Sequence, residues 1–489
     1  MIPCTRRMFF FGSLLAGAVP PGGFGSVPSL RRLGYKSPNE KLNIAAIGAG
    51  GRGASNIRAC MTENIVALCD VDWERAAPIF KQFENVPKYT DFRRMFDKEH
   101  QNIDAVIVST PDHTHACASL WAMQLGKHVY CEKPLARTVY ECRRLTEAAA
   151  YYRVATQMGN QGYSNEGTRL AAEIIWSGEI GDVTEVHAWT NRPIWPQGFD
   201  KTPPPSPVPK NLDWDAWLGP LPYRPYIGGE EGAEGRRREQ GFIHPFSWRG
   251  FLDFGTGSLG DMACHILGAA YLALRLTAPT SVEVLEAEGK NSLTFPKSCK
   301  IRYQFPARPG MPPVTVYWYD ARRDEPIRPE GLSPDEILVG PGVEKLLQEC
   351  GVGTGLKPQS LAKPWIPEKR PSQANGALFI GTKGILVTDT YANSVRLLPS
   401  SRMEGYQLPP RLLTRSPGHH RDWIRACKGG EPACSNFSVA GPFSEWVVLG
   451  CVALRFEGKL EWDARNMRVT NIKEANQYIR PRFRKGWGL

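Results

Sequence analysis

Apolar positions fall into two regimes along the chain. Up to about residue 158 they come as short continuous runs, at 41–47, 64–69, 103–110, 128–131 and 154–158. Between them lie stretches of helical spacing such as 54–61 and 116–125. Continuous aliphatic and β-branched runs suit strands buried on both faces, and short β–α–β connections predict a doubly wound parallel sheet. Beyond residue 160 the period changes. Residues 183–190 alternate as a half-buried strand does, and 281–286, 301–305, 314–319, 377–380 and 385–389 follow with few helical patterns between them. That succession predicts a large, mainly antiparallel sheet. Residues 191–226 hold ten of the 41 prolines along with Trp195, Trp214, Trp217, Tyr223 and Tyr226. So many tryptophans predict an ordered excursion, not a linker. Pro/Gly-rich stretches at 306–313 and 351–371 read as loops or insertions, and His419-His420 opens a helix with its two histidines on different faces. The longest apolar run of the body, 446–456, is too short to cross a bilayer and is interrupted at Gly450.

This patterning divides the 489 residues into a leading segment (1–30), a nucleotide-binding unit (40–160) and a larger second unit (161–489). The leading segment carries Thr5-Arg6-Arg7-Met8-Phe9-Phe10, an apolar run over 9–19, and small residues at Ala16-Gly17-Ala18. It has the three parts of an export signal, and the paired arginines make it twin-arginine-like. The expected destination is the periplasm, reached already folded and with any cofactor loaded. Composition adds mainly exclusions. Lys+Arg 60 against Asp+Glu 49 gives +11, but the basic clusters at 31–32, 236–238 and 480–485 are not interleaved with aromatics, which argues against nucleic acid. Twelve cysteines include no CxxC and no Cys/His pair at zinc spacing, so no metal site is expected.

The first apolar run ends in Gly48-Ala49-Gly50-Gly51-Arg52-Gly53, a G-x-G-x-x-G between a predicted strand and a predicted helix. Gly48 suits a tight turn, Gly50 lets backbone approach a diphosphate, and Gly53 allows close helix–strand packing. Gly51 and Arg52 belong to the same turn, whose helix N-terminus offers unpaired N–H groups to phosphate. Asp70 ends the second run, 22 residues after Gly48, where an acid can accept hydrogen bonds from ribose hydroxyls. Its charge would repel a 2′-phosphate, and no Arg or Lys follows at once. NAD is therefore expected over NADP. Thr110-Pro111, with His115 beyond it, ends the third strand, and Glu132-Lys133-Pro134 ends the fourth. Lys133 thus falls at the edge of the sheet where ligands bind.

In the second unit Gly255 to Gly260 reads as a glycine-rich loop, with Asp261 as a helix start and His265 four residues on. On a helix that spacing places both side chains on one face. An aspartate beside a histidine can fix its tautomer and raise its basicity, which suits removal of a hydroxyl proton.

Taken together, Gly48–Gly53, Thr110-Pro111 with His115, Glu132-Lys133-Pro134, and Gly260-Asp261 with His265 resemble the Gfo/Idh/MocA oxidoreductase family over residues from about 41 to about 470. The resemblance implies an N-terminal Rossmann domain and a C-terminal α/β domain with a large, mainly antiparallel sheet. It implies hydride transfer at a hydroxyl carbon of a sugar, glycoside or cyclitol. Within it Lys133 orients substrate and stabilises charge, His265 is the base with Asp261 its partner, and Thr110, His115 and Glu132 line the cofactor channel. Gln161 and Trp248 join Lys133 and His265 as candidates on the substrate side, Trp248 as a ring that stacks on a sugar. The export signal and the proline/tryptophan excursion point to the glucose–fructose oxidoreductase-like branch. Export implies a tightly held NAD, and the family's open sheet face implies a homo-oligomer. Two alternatives stand beside this reading. One is a redox-neutral, NAD-dependent glycoside-cleaving cycle, disfavoured because Met262 occupies the position where that subtype has a tyrosine. The other is a non-catalytic sugar- or nucleotide-binding protein, disfavoured because Lys133 and His265 are both present.

Overall fold

The computed structural model describes residues 40–228, 241–322, 324–340, 342 and 373–489. The expected signal (1–30), the basic pairs and triplets at 31–32 and 236–238, and the stretch 351–371 lie outside the described residues.

The apolar runs become a six-stranded parallel sheet. Its strands are β1 (Asn43–Ile47), β2 (Asn64–Cys69), β3 (Lys88–Tyr89), β4 (Ala105–Val108), β5 (His128–Cys131) and β6 (Thr156–Met158), in the order β3-β2-β1-β4-β5-β6. Ile44 pairs with Ala105 and Ile47 with Val108, so the strand order reverses between β1 and β4. That reversal opens the crevice in which doubly wound sheets bind ligands. The helices between strands begin where the sequence supplies acceptors for their free N–H groups. Asp72 caps Trp73–Gln82 by accepting from the Arg75 amide, and Thr138 forms a capping box with Glu141 at the start of Val139–Tyr152.

The second sheet has nine strands: β7 (Val183–Trp189), β8 (Ser281–Glu288), β9 (Ser298–Phe305), β10 (Val314–Tyr319), β11 (Gly376–Gly381), β12 (Ile385–Thr388), β13 (Val395–Leu398), β14 (Lys459–Asp463) and β15 (Arg468–Val469). Their order is β13-β12-β11-β7-β10-β9-β8-β14-β15, and every pairing is antiparallel except β7 with β10. β9 shows the expected alternation, with Cys299, Ile301, Tyr303 and Phe305 buried and their neighbours less so.

The excursion is ordered around a core of its own. Trp214 and Trp217 stack with ring centroids 4.6 Å apart, and Phe242, Trp248, Phe251 and Phe254 pack with them. It docks on the parallel sheet through an isolated bridge between Asp72 and Leu212.

Two late helices tie the lobes together. In His419–Cys427, Trp423, Ile424 and Cys427 join the core formed by Ile44, Ala46, Ala105, Ile107 and Tyr130. In Phe437–Ala453, Glu445 takes both 2.7 Å hydrogen bonds of the Arg143 fork. Gly450 does not interrupt this helix, contrary to its reading from sequence. It sits inside it because a Cβ there would overlap the Tyr303 hydroxyl, so close packing selects glycine. Among the described residues no helix is long and apolar enough to cross a membrane.

Candidate active site

A cleft of about 340 Å³ runs along the C-terminal edge of the parallel sheet and is roofed by the second lobe and the excursion. From one side to the other, successive strand ends contribute Asp70 after β2, Gly48 and Gly50 after β1, Thr110 after β4, and Glu132 and Lys133 after β5. Asp70 and Lys133 are therefore three strand spacings apart, roughly 14 Å, which spans a dinucleotide from one ribose toward its far ring.

The glycine turn is built by close approach. Gly48 has φ +79°, and a Cβ there would lie 2.7 Å from the Ser109 carbonyl. A Cβ on Gly53 would overlap the Gly48 carbonyl oxygen, which is the tight helix–strand contact expected of it. Gly51 and Gly53 shape the turn without lining the cleft, whereas Arg52 lines it and pairs with Glu132 at 3.0 Å. The helix Arg52–Ala59 starts at Gly51 with no side-chain cap; the Gly53 amide donates to the Gly50 carbonyl at 3.0 Å, and the positive end of the helix dipole faces the cleft where an anion would sit. Asp70 accepts from the Gly50 amide at 2.8 Å and the Asp72 amide at 2.9 Å. Burial raises its pKa, and those two amides oppose the rise. Asp70, the glycine turn and the Thr110 Oγ1, which has no partner among the described residues, together fit a dinucleotide's ribose and diphosphate. No group of three or more potential metal ligands occurs among the described residues.

At the other end Lys133 Nζ donates to Asp261 Oδ1 at 2.7 Å and to the Asp261 carbonyl at 2.6 Å. Arg249 Nε lies 3.6 Å from the same carboxylate. Burial would raise the Asp261 pKa, but Lys133 and Arg249 outweigh it and hold it down at about 2. His265 is buried beside them, edge-on to Tyr391 at 4.9 Å, and its Nδ1 has no hydrogen-bond partner among the described residues. Burial and the Lys133 charge pull its pKa down to about 3, so its ring is neutral at ordinary pH.

Two readings of Asp261 need correction. The helix begins at Gly257, not at Asp261, because the glycines continue the helix where the sequence suggested a loop. Asp261 makes its hydrogen bonds with Lys133 and not with His265, on which its carboxylate acts only through charge, raising that ring's pKa against burial and Lys133. His115 lines the cleft, and its ring also ties the cleft walls together. Both of its ring nitrogens face backbone carbonyls, Pro134 O at 2.9 Å and Thr110 O at 2.8 Å, so it fastens two cleft loops to each other. Burial disfavours a charged ring there, yet Cys131, Asp112 and the Pro134 carbonyl outweigh it and lift the pKa well above its ordinary value. Gln161 lines the cleft while donating to the Tyr130 hydroxyl at 3.0 Å, and Trp248 lines it beneath the Arg249 guanidinium, 4.3 Å from its ring.

The sequence did not point to Arg75, Arg249, Tyr391 or the Asp72–His244 pair. Arg75 flanks the glycine turn, its Nη2 2.6 Å from where a Gly51 Cβ would stand. His244 Nε2 lies 2.7 Å from Asp72 Oδ2, which fixes the excursion to the loop just after Asp70. Only the place of Arg75 in the first turn after a capping Asp72 was a usable signal.

Residues 42–160 match the model of an oxidoreductase family with an NAD-binding Rossmann fold, and residues 181–307 match that family's C-terminal α/β domain. The chain belongs to the Gfo/Idh/MocA oxidoreductase family. Relatives include an inositol 2-dehydrogenase of Pseudomonas fluorescens, 32% identical over 158 residues, covering 31% of this chain and 46% of the relative. Inositol 2-dehydrogenase 3 of Saccharopolyspora erythraea is 32% identical over 165 residues, covering 32% and 47%. The chain thus spans about half the length of the curated Gfo/Idh/MocA relatives it matches. An inositol dehydrogenase homolog from Azotobacter vinelandii, solved with NADH and myo-inositol, superposes with TM-score 0.52 at 16% identity, covering 88% of this chain and all 100% of that one. An aldose–aldose oxidoreductase from Caulobacter crescentus superposes with TM-score 0.51 at 16% identity, covering 86% and 100%. At these identities the solved structures establish the shared fold of this chain.

Proposed function

We propose that this protein is an NAD-dependent oxidoreductase acting at the hydroxyl-bearing carbon of a cyclitol or sugar. The observation that carries the reading is that Lys133, Asp261 and His265 share one cleft with the glycine turn and Asp70. When bound, NAD supplies hydride transfer at that carbon. The chain's own groups bind, orient and move the proton. The helix start receives phosphate, and Asp70 accepts from ribose hydroxyls, which favours NAD over NADP. Lys133, steadied by Asp261, donates to the substrate oxygen on which charge develops. His265, neutral in the folded protein, accepts the hydroxyl proton in oxidation and returns it in reduction. The inositol 2-dehydrogenases among the relatives favour a cyclitol. The redox-neutral glycoside-cleaving cycle gains no support from them.

The test is direct. Purified protein is analysed by mass for co-purifying dinucleotide, then mixed with a panel of cyclitols and sugars while the reduced-nicotinamide band is followed. Growth of the band with a cyclitol or sugar, lost in Lys133→Met and His265→Gln, supports the assignment. Stoichiometric ligand binding with no absorbance change would replace it with a non-catalytic binding protein.

We further propose that the protein is exported through its twin-arginine-like start and keeps its NAD bound as a homo-oligomer. Retention is supported by the roof of the cleft, formed by Trp217 of the excursion with His244 and Trp248 beyond it. Cell fractionation, dinucleotide exchange rates and native mass measure these three points.

A further inference from the structure

A second cleft, of about 240 Å³, shares no lining residue with the first. Four separate segments meet there: the turn after Lys133-Pro134, the excursion, the end of the helix Phe437–Ala453, and the C-terminal tail. Each brings an arginine, namely Arg137, Arg224, Arg455 and Arg482. The lining holds a single carboxylate, Asp253.

The pairing within this cluster is incomplete. Arg224 Nη2 donates to Asp253 Oδ2 at 2.8 Å. Arg455 Nη2 donates to the Leu252 carbonyl at 3.0 Å, and its guanidinium lies 4.3 Å over the Tyr478 ring. Arg137 Nε is buried with no hydrogen-bond partner among the described residues. A guanidinium carries five N–H donors in a fixed fork, and leaving a buried donor unmade is costly. Even with the buried Glu141 beside Arg137 the four cations outnumber the nearby carboxylates and repel one another, and burial together with Arg137 draws the Arg455 pKa down against the pull of Asp253. A ligand that supplied several acceptor oxygens and at least two negative charges would satisfy both needs. Planar forks match tetrahedral oxyanions bidentately.

We propose that this four-arginine cleft is a binding site for a tetrahedral dianion, either free phosphate or the phosphate group of a small ester, with Arg137 as its central ligand. The site is independent of the dinucleotide cleft and of the activity assigned to it.

The experiment is calorimetric titration of the purified protein, cofactor left bound, with inorganic phosphate and separately with glucose 6-phosphate, against sodium chloride at equal ionic strength. Wild type is expected to take up one equivalent of at least one phosphate probe. Arg137→Gln should weaken that binding about 10-fold or more, and Arg482→Gln, in the exposed tail, several-fold. Arg480→Gln, whose side chain stacks on Tyr140 outside the cleft, should change nothing. The tighter probe identifies the source of the anion. Absence of phosphate-specific heat with both probes at millimolar concentration, or equal affinity in wild type and both cleft variants, overturns the proposal. If Arg137→Gln fails to fold, Arg482→Gln alone decides.

Discussion

Lys133 Nζ grips Asp261 twice, at the carboxylate (2.7 Å) and at the backbone carbonyl (2.6 Å), across 128 residues of sequence. The ammonium is thereby fixed at the end of β5 with one donor remaining for substrate. Lys133→Met removes that donor, while Arg249 stays within 3.6 Å of the stranded carboxylate. We expect kcat to fall about 10²- to 10³-fold with dinucleotide affinity nearly unchanged. Steady-state kinetics beside a fluorescence titration of NAD separates the two. Loss of both in equal measure would make Lys133 a structural residue.

Buried neutral histidines set the acid limit of stability. Burial pulls His113, His265 and His419 down to about 3 and His128 to about 4. Below the unfolded value near 6.5 the unfolded chain binds protons that the folded chain refuses, so stability falls as pH drops. Each such ring costs roughly 1.4 kcal/mol per pH unit between its two values. His115 acts in the opposite sense: its contribution is complete below the unfolded value and is lost only as pH rises through its raised folded value. The melting temperature should therefore drop steeply from pH 6.5 to 5 and, above pH 7, decline gently by the single proton that His115 gives up. His128→Gln, which keeps an acceptor for the Ala155 amide, should flatten that slope by about one proton.

The catalytic pH profile follows from the same depression. If His265 is the base, oxidation should show no loss of kcat/KM between pH 8 and 6, because the ring titrates only near 3. An acid limb centred near 6.5 would mean that the proton goes to a solvated group instead.

The Asp72–His244 pair holds the roof over the dinucleotide side of the cleft. His244→Gln keeps a hydrogen-bond donor but loses the imidazole ring, and Asp72→Asn removes the carboxylate that also caps Trp73–Gln82. Both should speed dinucleotide release about 10-fold, equivalent to about 1.4 kcal/mol. Stopped-flow displacement of the cofactor by excess analogue measures it. An unchanged rate in both variants would assign the roof's hold to the tryptophan core alone.

Gly450 and Tyr303 should be energetically coupled. Gly450→Ala drives a methyl into the Tyr303 hydroxyl and should cost about 1–3 kcal/mol. Tyr303→Phe removes the obstruction, so the double variant should recover part of the loss in chemical denaturation. Additive penalties would show that the helix shifts instead.

Much of this was legible because a parallel sheet buries both faces and prints its strands as unbroken apolar runs. The glycine turn and Asp70 were legible because their spacing along one β–α–β unit is local. What stayed hidden was mutual choice between distant groups. Asp261 lies four residues from His265 but chose Lys133, since charge compensation in a desolvated site outweighs proximity along a helix. Arg249 and His244 sit in an excursion with no periodicity to read. Gly260 and Gly450 looked like breakers, whereas close packing makes them helical residues that let another side chain come close, and Gly257 enters its helix at φ +61° against the Phe295 ring.

The helix His419–Cys427 lies against β1, β4 and β5, although more than 250 residues separate it from the end of β6. The chain leaves its first lobe, builds the second, and returns to finish the first. An isolated fragment ending at residue 160 would thus present a bare apolar flank where Trp423 belongs. The two lobes are stitched into one cooperative body, and any rearrangement that shuffled the nucleotide-binding half into another protein would have to carry this distant helix along.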